Sequence, residues 1–158
     1  MSEEFTHIDA SGNIRMVDVS DKKNTNRKAL ATGMIKMKPD TLEKIMGGSV
    51  KKGNVLEAAR IAGIMAAKKT RDLIPLCHPI NVTYAGIDFV PDMAGSAIEI
   101  IAEVRTFGKT GVEIEAMTAV AVAALTIYDM CKSYDRGMVV SDIRLMEKLG
   151  GKSGHFKA

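Results

Sequence analysis

The stretch from Gly108 to Lys132, GKTGVEIEAMTAVAVAALTIYDMCK, constrains this chain more than any other. It opens on a Lys-Thr pair between glycines and sets Glu113 and Glu115 close together. It then runs through Ala116, Ala119, Ala121, Ala123 and Ala124, and closes on Asp129 and Lys132. Alanine, leucine and methionine favour helix, and small side chains let backbones approach closely. Steps of three and four residues from Glu115 pass through Thr118, Val122, Leu125, Asp129 and Lys132, so these share one helical face. That face has ionisable groups at both ends and apolar groups between. A surface helix would segregate the two kinds. The pattern therefore predicts a helix buried along its length with chemistry at its tips.

The flanking segments read as strands and one further helix pair. Ala29 to Met37 reads as a first strand. Pro39-Asp40-Thr41-Leu42-Glu43 reads as a helix start with Asp40 as N-cap and Glu43 completing a capping box, and Gly47-Gly48 ends it. Asn54 caps a second helix running to about Lys69. Thr70 to Ile80 carries two prolines and is expected to be an ordered loop. Val82 to Val90 reads as a strand, the PDMAG segment as a turn, and Ala97 to Thr106 as a second strand. There Ile98, Ile100, Ala102 and Val104 alternate with Glu99, Ile101, Glu103 and Arg105, the period of a half-buried antiparallel strand. Met138 to Lys148 supplies a last strand. The order β–α(α)–β–β–α–β predicts an α+β, ferredoxin-like (split βαβ) fold: an antiparallel sheet with helices packed on one face. Ile101 and Met146 make the other sheet face partly apolar, and a second copy of the chain is its expected cover.

With 158 residues the chain reads as one domain: an arm over 1–28, a core over 29–149, and a flexible Gly/Lys tail over 150–158. A net charge of +3 and 4% aromatic residues are unlike a nucleic-acid binder, which clusters cations and exposes stacking rings. Cys77 and Cys131 are widely separated with no CxxC spacing, so neither a metal site nor a disulfide framework is expected. The start of the chain has no apolar signal-peptide core, and no run of 18 apolar residues predicts a membrane span. A cytoplasmic, soluble protein with no cofactor is the expectation.

Taken singly, the chemical groups have ordinary explanations. Acids at a helix start suit the helix dipole. An Asp and a Lys three residues apart make a plain ion pair, worth little when solvated. Yet Ile127, Tyr128, Met130 and Cys131 surround Asp129 and Lys132, and a partly buried Asp beside a Lys suits general acid/base chemistry. His78 sits in the double-proline loop, beside Cys77, where a rigid backbone would present it to a ligand. Lys109-Thr110 lacks the full phosphate-loop spacing, and the Gly150-to-Gly154 segment, a flexible backbone with a Lys, suits phosphates but reads equally as an ordinary tail. Lys51, Lys52, Lys148, Lys152 and Arg27 are cations suited to a polyphosphate. Together these groups describe a site for a small polyanion with proton-transfer chemistry.

The strings ARIAGIMAAKKTRDLIPLCHPI, GKTGVEIEAMTAVAVAALTIYDMCK and RLMEKLGGKSG closely resemble the cyclic pyranopterin monophosphate synthase family of molybdenum-cofactor biosynthesis, called MoaC. THID and MVDVS near the start match as well, so the resemblance covers essentially the whole chain. It implies a lyase that converts 3′,8-cyclo-7,8-dihydro-GTP into cyclic pyranopterin monophosphate with release of pyrophosphate. It also implies that Leu76, Cys77 and His78 line the substrate pocket with Ile114 and Glu115, and that Asp129 is the active-site position with Lys132 beside it. Arg27, Lys52, Lys148 and Glu113 match family active-site positions. The pattern departs at Ile114, where Met is expected, a change between apolar residues of similar size. The resemblance further implies a hexamer built from dimers. Glu115 and Asp129 on one helix would stand roughly 21 Å apart along its axis. One nucleotide would not readily reach both, so sites shared between subunits are expected. The alternative is a metabolite-binding protein of the same fold, but retention of Asp129, Lys132, Lys52 and His78 together favours the enzyme.

Overall fold

The computed structural model describes residues 6–158; the first five residues of the expected arm lie outside it. The elements, in chain order, are β1 (Thr25–Lys36), α1 (Pro39–Met46), α2 (Val55–Leu73), β2 (Tyr84–Asp92), β3 (Ala97–Gly108), α3 (Glu113–Cys131), β4 (Val139–Leu149) and β5 (Phe156–Lys157). The strands form one sheet in the order β2-β3-β1-β4-β5, with every neighbouring pair antiparallel. This is an α+β fold, with α3 packed across β1, β3 and β4 and α2 packed on α3 and β2.

Alternation on β3 does what the sequence pattern requires. Ile98, Ile100, Ala102 and Val104 are fully buried, and on β1 so are Ala29, Ala31 and Ile35. Against them lie Ala116, Ala119, Val120, Ala123, Ala124 and Ile127 of α3. Close approach explains the small residues. A Cβ on Gly33 of β1 would come within 2.6 Å of Val120 Cγ1, so the helix rests directly on the sheet backbone.

Several expectations are corrected. α1 starts at Pro39 with Lys38 as N-cap and no side-chain capping bond, so the Asp40–Glu43 capping box does not form. Proline is well placed at a first helical position, and the residue before it is held extended. Asp40 falls in the first turn instead, and Asp135 Oδ2 accepts from the Lys38 N–H at 2.8 Å. Asn54 does cap α2 through a bond from the Glu57 N–H. That helix continues four residues beyond Lys69, to Leu73, because the break comes only with Pro75. β1 begins at Thr25, where Thr25–Lys28 pair with Arg105–Gly108, so Arg27 belongs to the sheet and not to the arm. The tail is not free, since β5 pairs with the end of β4.

α3 is the core helix, though by length and composition it would also suit a membrane span. Its buried side, however, is the alanine side. The face through Thr118, Val122, Leu125, Asp129 and Lys132 points outward, and Leu125 is 59% exposed. Small residues allow the closest packing, so they take the inner face and leave a partly apolar outer stripe.

Candidate active site

The groups named from the sequence gather at the two ends of α3. At the N-terminal end, Glu113 and Glu115 occupy the first turn. Glu115 is only 3% exposed. The loop after α2 brings Cys77 to it, and Cys77 Sγ donates to Glu115 Oε1 at 3.5 Å. Burial raises the Glu115 carboxyl above its ordinary range. Burial, with the carboxylate of Glu115 beside it, pushes the Cys77 thiol up to about 11, so it is a proton donor and not a nucleophile at neutral pH. Glu113 has a different environment, an ion pair with Lys148 Nζ at 3.0 Å.

His78 Nε2 lies 2.6 Å from the Val17 carbonyl oxygen. A carbonyl only accepts, so Nε2 carries a proton in this contact. The same contact pins the N-terminal arm to the loop, and the bond from Lys109 Nζ to the Ser20 carbonyl at 2.7 Å pins the arm to the segment between β3 and α3. Leu76, Cys77, His78, Glu113, Ile114 and Glu115 line a cavity of about 360 Å³ together with arm residues, Val17 and Lys22 among them.

A larger cleft of about 790 Å³ shares Lys22, Thr110 and Gly111 with that cavity. Its cations are Lys22, Lys23, Arg27, Lys109, Lys148 and Lys152, with Asp21 as the one acid among its lining residues. Arg27 is anchored there by its Nη2, which donates to the Lys109 carbonyl at 3.0 Å. Such a cleft concentrates positive potential and suits a polyanion.

The other end of α3 holds Asp129, Lys132 and Lys52. Lys132 Nζ donates to Asp129 Oδ1 at 2.6 Å, and Lys52 Nζ lies 3.6 Å from Asp129 Oδ2. Lys52 Nζ also donates to the Asp129 carbonyl at 2.9 Å. The Lys132 hydrogen bond, followed by the charges of Lys132 and Lys52, lowers the Asp129 carboxyl below its usual range. Asp129 and Lys132 are open to solvent in the single chain, where the apolar neighbours had predicted partial burial. Those neighbours, Ile127, Met130 and Cys131, face the core instead.

Within one chain, therefore, Leu76, Cys77, His78, Glu113, Ile114, Glu115, Arg27 and Lys148 come together, and Asp129, Lys132 and Lys52 form a separate group. Lys22 and Lys23 are contributions that the sequence reading missed. They are a plain dilysine in a polar arm, and only the fold turns them toward Arg27 and Lys148.

Known proteins match this chain closely. The MoaC family model matches residues 16–151. A protein of Desulforapulum autotrophicum named cyclic pyranopterin monophosphate synthase is 63% identical over 155 residues, 98% of this chain and 95% of the relative. Proteins of the same name from Desulfatibacillum aliphaticivorans and Clostridium acetobutylicum are 58% and 57% identical, each covering at least 96% of both chains. With a family match over most of its length and relatives this similar from end to end, the chain belongs to the MoaC family.

Proposed function

We propose that this chain is a cyclic pyranopterin monophosphate synthase, a lyase that rearranges 3′,8-cyclo-7,8-dihydro-GTP and releases pyrophosphate in molybdenum-cofactor biosynthesis. The observation that carries this reading is the near full-length identity of 63% to a protein of that name. The geometry supports it, because a phosphorylated nucleotide needs a cationic cleft and proton-transferring groups, and one chain carries both, at opposite ends of α3. The strand order supports the name ferredoxin-like, and a soluble nucleotide substrate suits a single-domain enzyme acting in the cytoplasm.

In this reading Asp129 stays ionised and orients the two ammonium groups of Lys132 and Lys52, which carry protons to and from the substrate. Lys148, Arg27 and the cations around them hold the triphosphate and stabilise charge on the departing pyrophosphate. Cys77, Glu115 and His78 bound the neighbouring cavity, with Leu76 and Ile114 as its apolar wall. One chain separates these groups by the length of α3. Each site is then built from two subunits of a hexamer arranged as a trimer of dimers, the Asp129 end of one meeting the Glu115 end of the next. The outward stripe of α3 with Leu125 is the surface on which such a neighbour would sit.

The test is turnover. Wild type supplied with the cyclised nucleotide is expected to release pyrophosphate and yield a pterin that fluoresces after oxidation. Asp129→Ala is expected to lose activity by at least about a hundredfold, because it frees the two lysines that carry the protons, whose contribution is of that scale. Wild type that binds the nucleotide without releasing pyrophosphate would overturn the enzymatic reading in favour of a binding protein.

A further inference from the structure

We propose that residues 150–158 form a latched strap whose loop, residues 151–154, grips the terminal phosphates of a polyphosphate through Lys152 and Ser153. The family-model match ends at residue 151, while the resembling string RLMEKLGGKSG runs on to Gly154. The proposal deepens the reading of the cationic cleft given above and rests on it.

The strap is fixed at both ends. At its start, Gly150 and Gly151 have φ of +97° and +81°, a conformation that L side chains rarely adopt. A Cβ on Gly151 would overlap the Arg27 guanidinium, so the strap backbone lies directly against that cation. The loop closes on itself through the Gly154 N–H, which donates to the Gly151 carbonyl at 3.2 Å. At its far end, β5 pairs Phe156 and Lys157 with Lys148 and Glu147 of β4. The Ala158 N–H donates to the Met146 carbonyl at 2.9 Å, and His155 Nε2 bonds Glu147 Oε1 at 2.7 Å. A loop tied at both ends holds Lys152 and Ser153 in the cleft wall, where a free tail would spread them over solvent.

The charge of the cleft indicates what that wall meets. The cleft sets Lys152 among Lys22, Lys23, Arg27, Lys109 and Lys148 with Asp21 as its acid, an arrangement of like charges that a multivalent anion relieves. A tetra-anionic phosphate chain meets that need.

The experiment is calorimetric titration of the full-length protein with inorganic pyrophosphate. Three variants accompany wild type: Lys152→Ala, Phe156→Pro, which removes a backbone donor from β5 and leaves every cation in place, and the double variant. Each single change is expected to weaken pyrophosphate binding by about tenfold, the scale of one charge-assisted contact. The double variant is expected to bind no more weakly than Phe156→Pro alone, because a loosened strap no longer presents Lys152. Circular dichroism checks that each variant folds. Wild-type affinity in Lys152→Ala overturns the strap, as does simple additivity in the double variant. Wild type that fails to bind pyrophosphate overturns it too, while turnover by that protein would leave the enzymatic reading standing. Conversely, strap-dependent binding without turnover would sink the enzymatic reading and keep the strap. Steady-state kinetics separate the two sources of the anion. A KM that rises in both variants assigns the strap to the substrate's triphosphate, and weaker product inhibition at unchanged KM assigns it to the released pyrophosphate.

Discussion

Glu113 and Glu115 show how two carboxyl groups in one helical turn acquire different chemistry. Glu113 faces the ammonium of Lys148, and Glu115 is enclosed with a thiol and its own backbone N–H as donors but no cation beside it. Burial raises the folded-state affinity of Glu115 for its proton above the unfolded value near 4.5. The folded chain thus binds more protons here than the unfolded one, and this contribution to stability is present below pH 4.5 and lost as pH rises through the folded value. Glu115→Gln is accordingly expected to flatten the decline in thermal midpoint on the neutral side of that range. An unchanged slope between the two proteins would count against a buried, proton-retaining Glu115. The residue types at both tips of α3 were legible from spacing alone. The Cys77–Glu115 contact was not, because it joins positions 38 apart through a loop whose path no periodicity encodes. Asp129 was misjudged for a related reason: sequence neighbours on a helix point in all directions, and its apolar neighbours point inward.

Among the elements, the strands were legible because alternation on a half-buried strand is strict, as Ile98 to Val104 illustrate. β5 was illegible, since two residues carry no period. Its pairing depends on the glycine turn before it. The start of α1 was misread because two local signals competed, an acidic residue in capping position and a proline one residue earlier, and the proline prevailed. The packing of α3 on β1 yields a sharp expectation. Val120 is fully buried and β-branched, so it has no free rotamer with which to avoid a new methyl group on Gly33. Gly33→Ala should destabilise the fold by about 1–3 kcal/mol through overpacking, visible as a lowered midpoint in urea. A neutral result would mean that helix and sheet separate more easily than their contact implies.

At the scale of the whole molecule, the division of the chemistry between two ends of one helix makes the assembly testable without a structure of it. Asp129→Ala and His78→Ala injure opposite ends. If each site draws one end from each of two subunits, random co-assembly leaves about a quarter of the sites intact, and activity should return to about that fraction on mixing two dead proteins. No recovery after co-refolding or co-expression would confine each site to a single chain. There is a consequence for α3 itself. As the one rigid body that carries both ends, it acts as a ruler and a dial: its length sets the spacing between two sites, and its helical phase sets their relative orientation. Inserting one alanine near Val122 would rotate Asp129 by about 100° relative to Glu115 while altering no side chain at either end. What this protein must preserve in α3 is therefore a residue count as much as a composition.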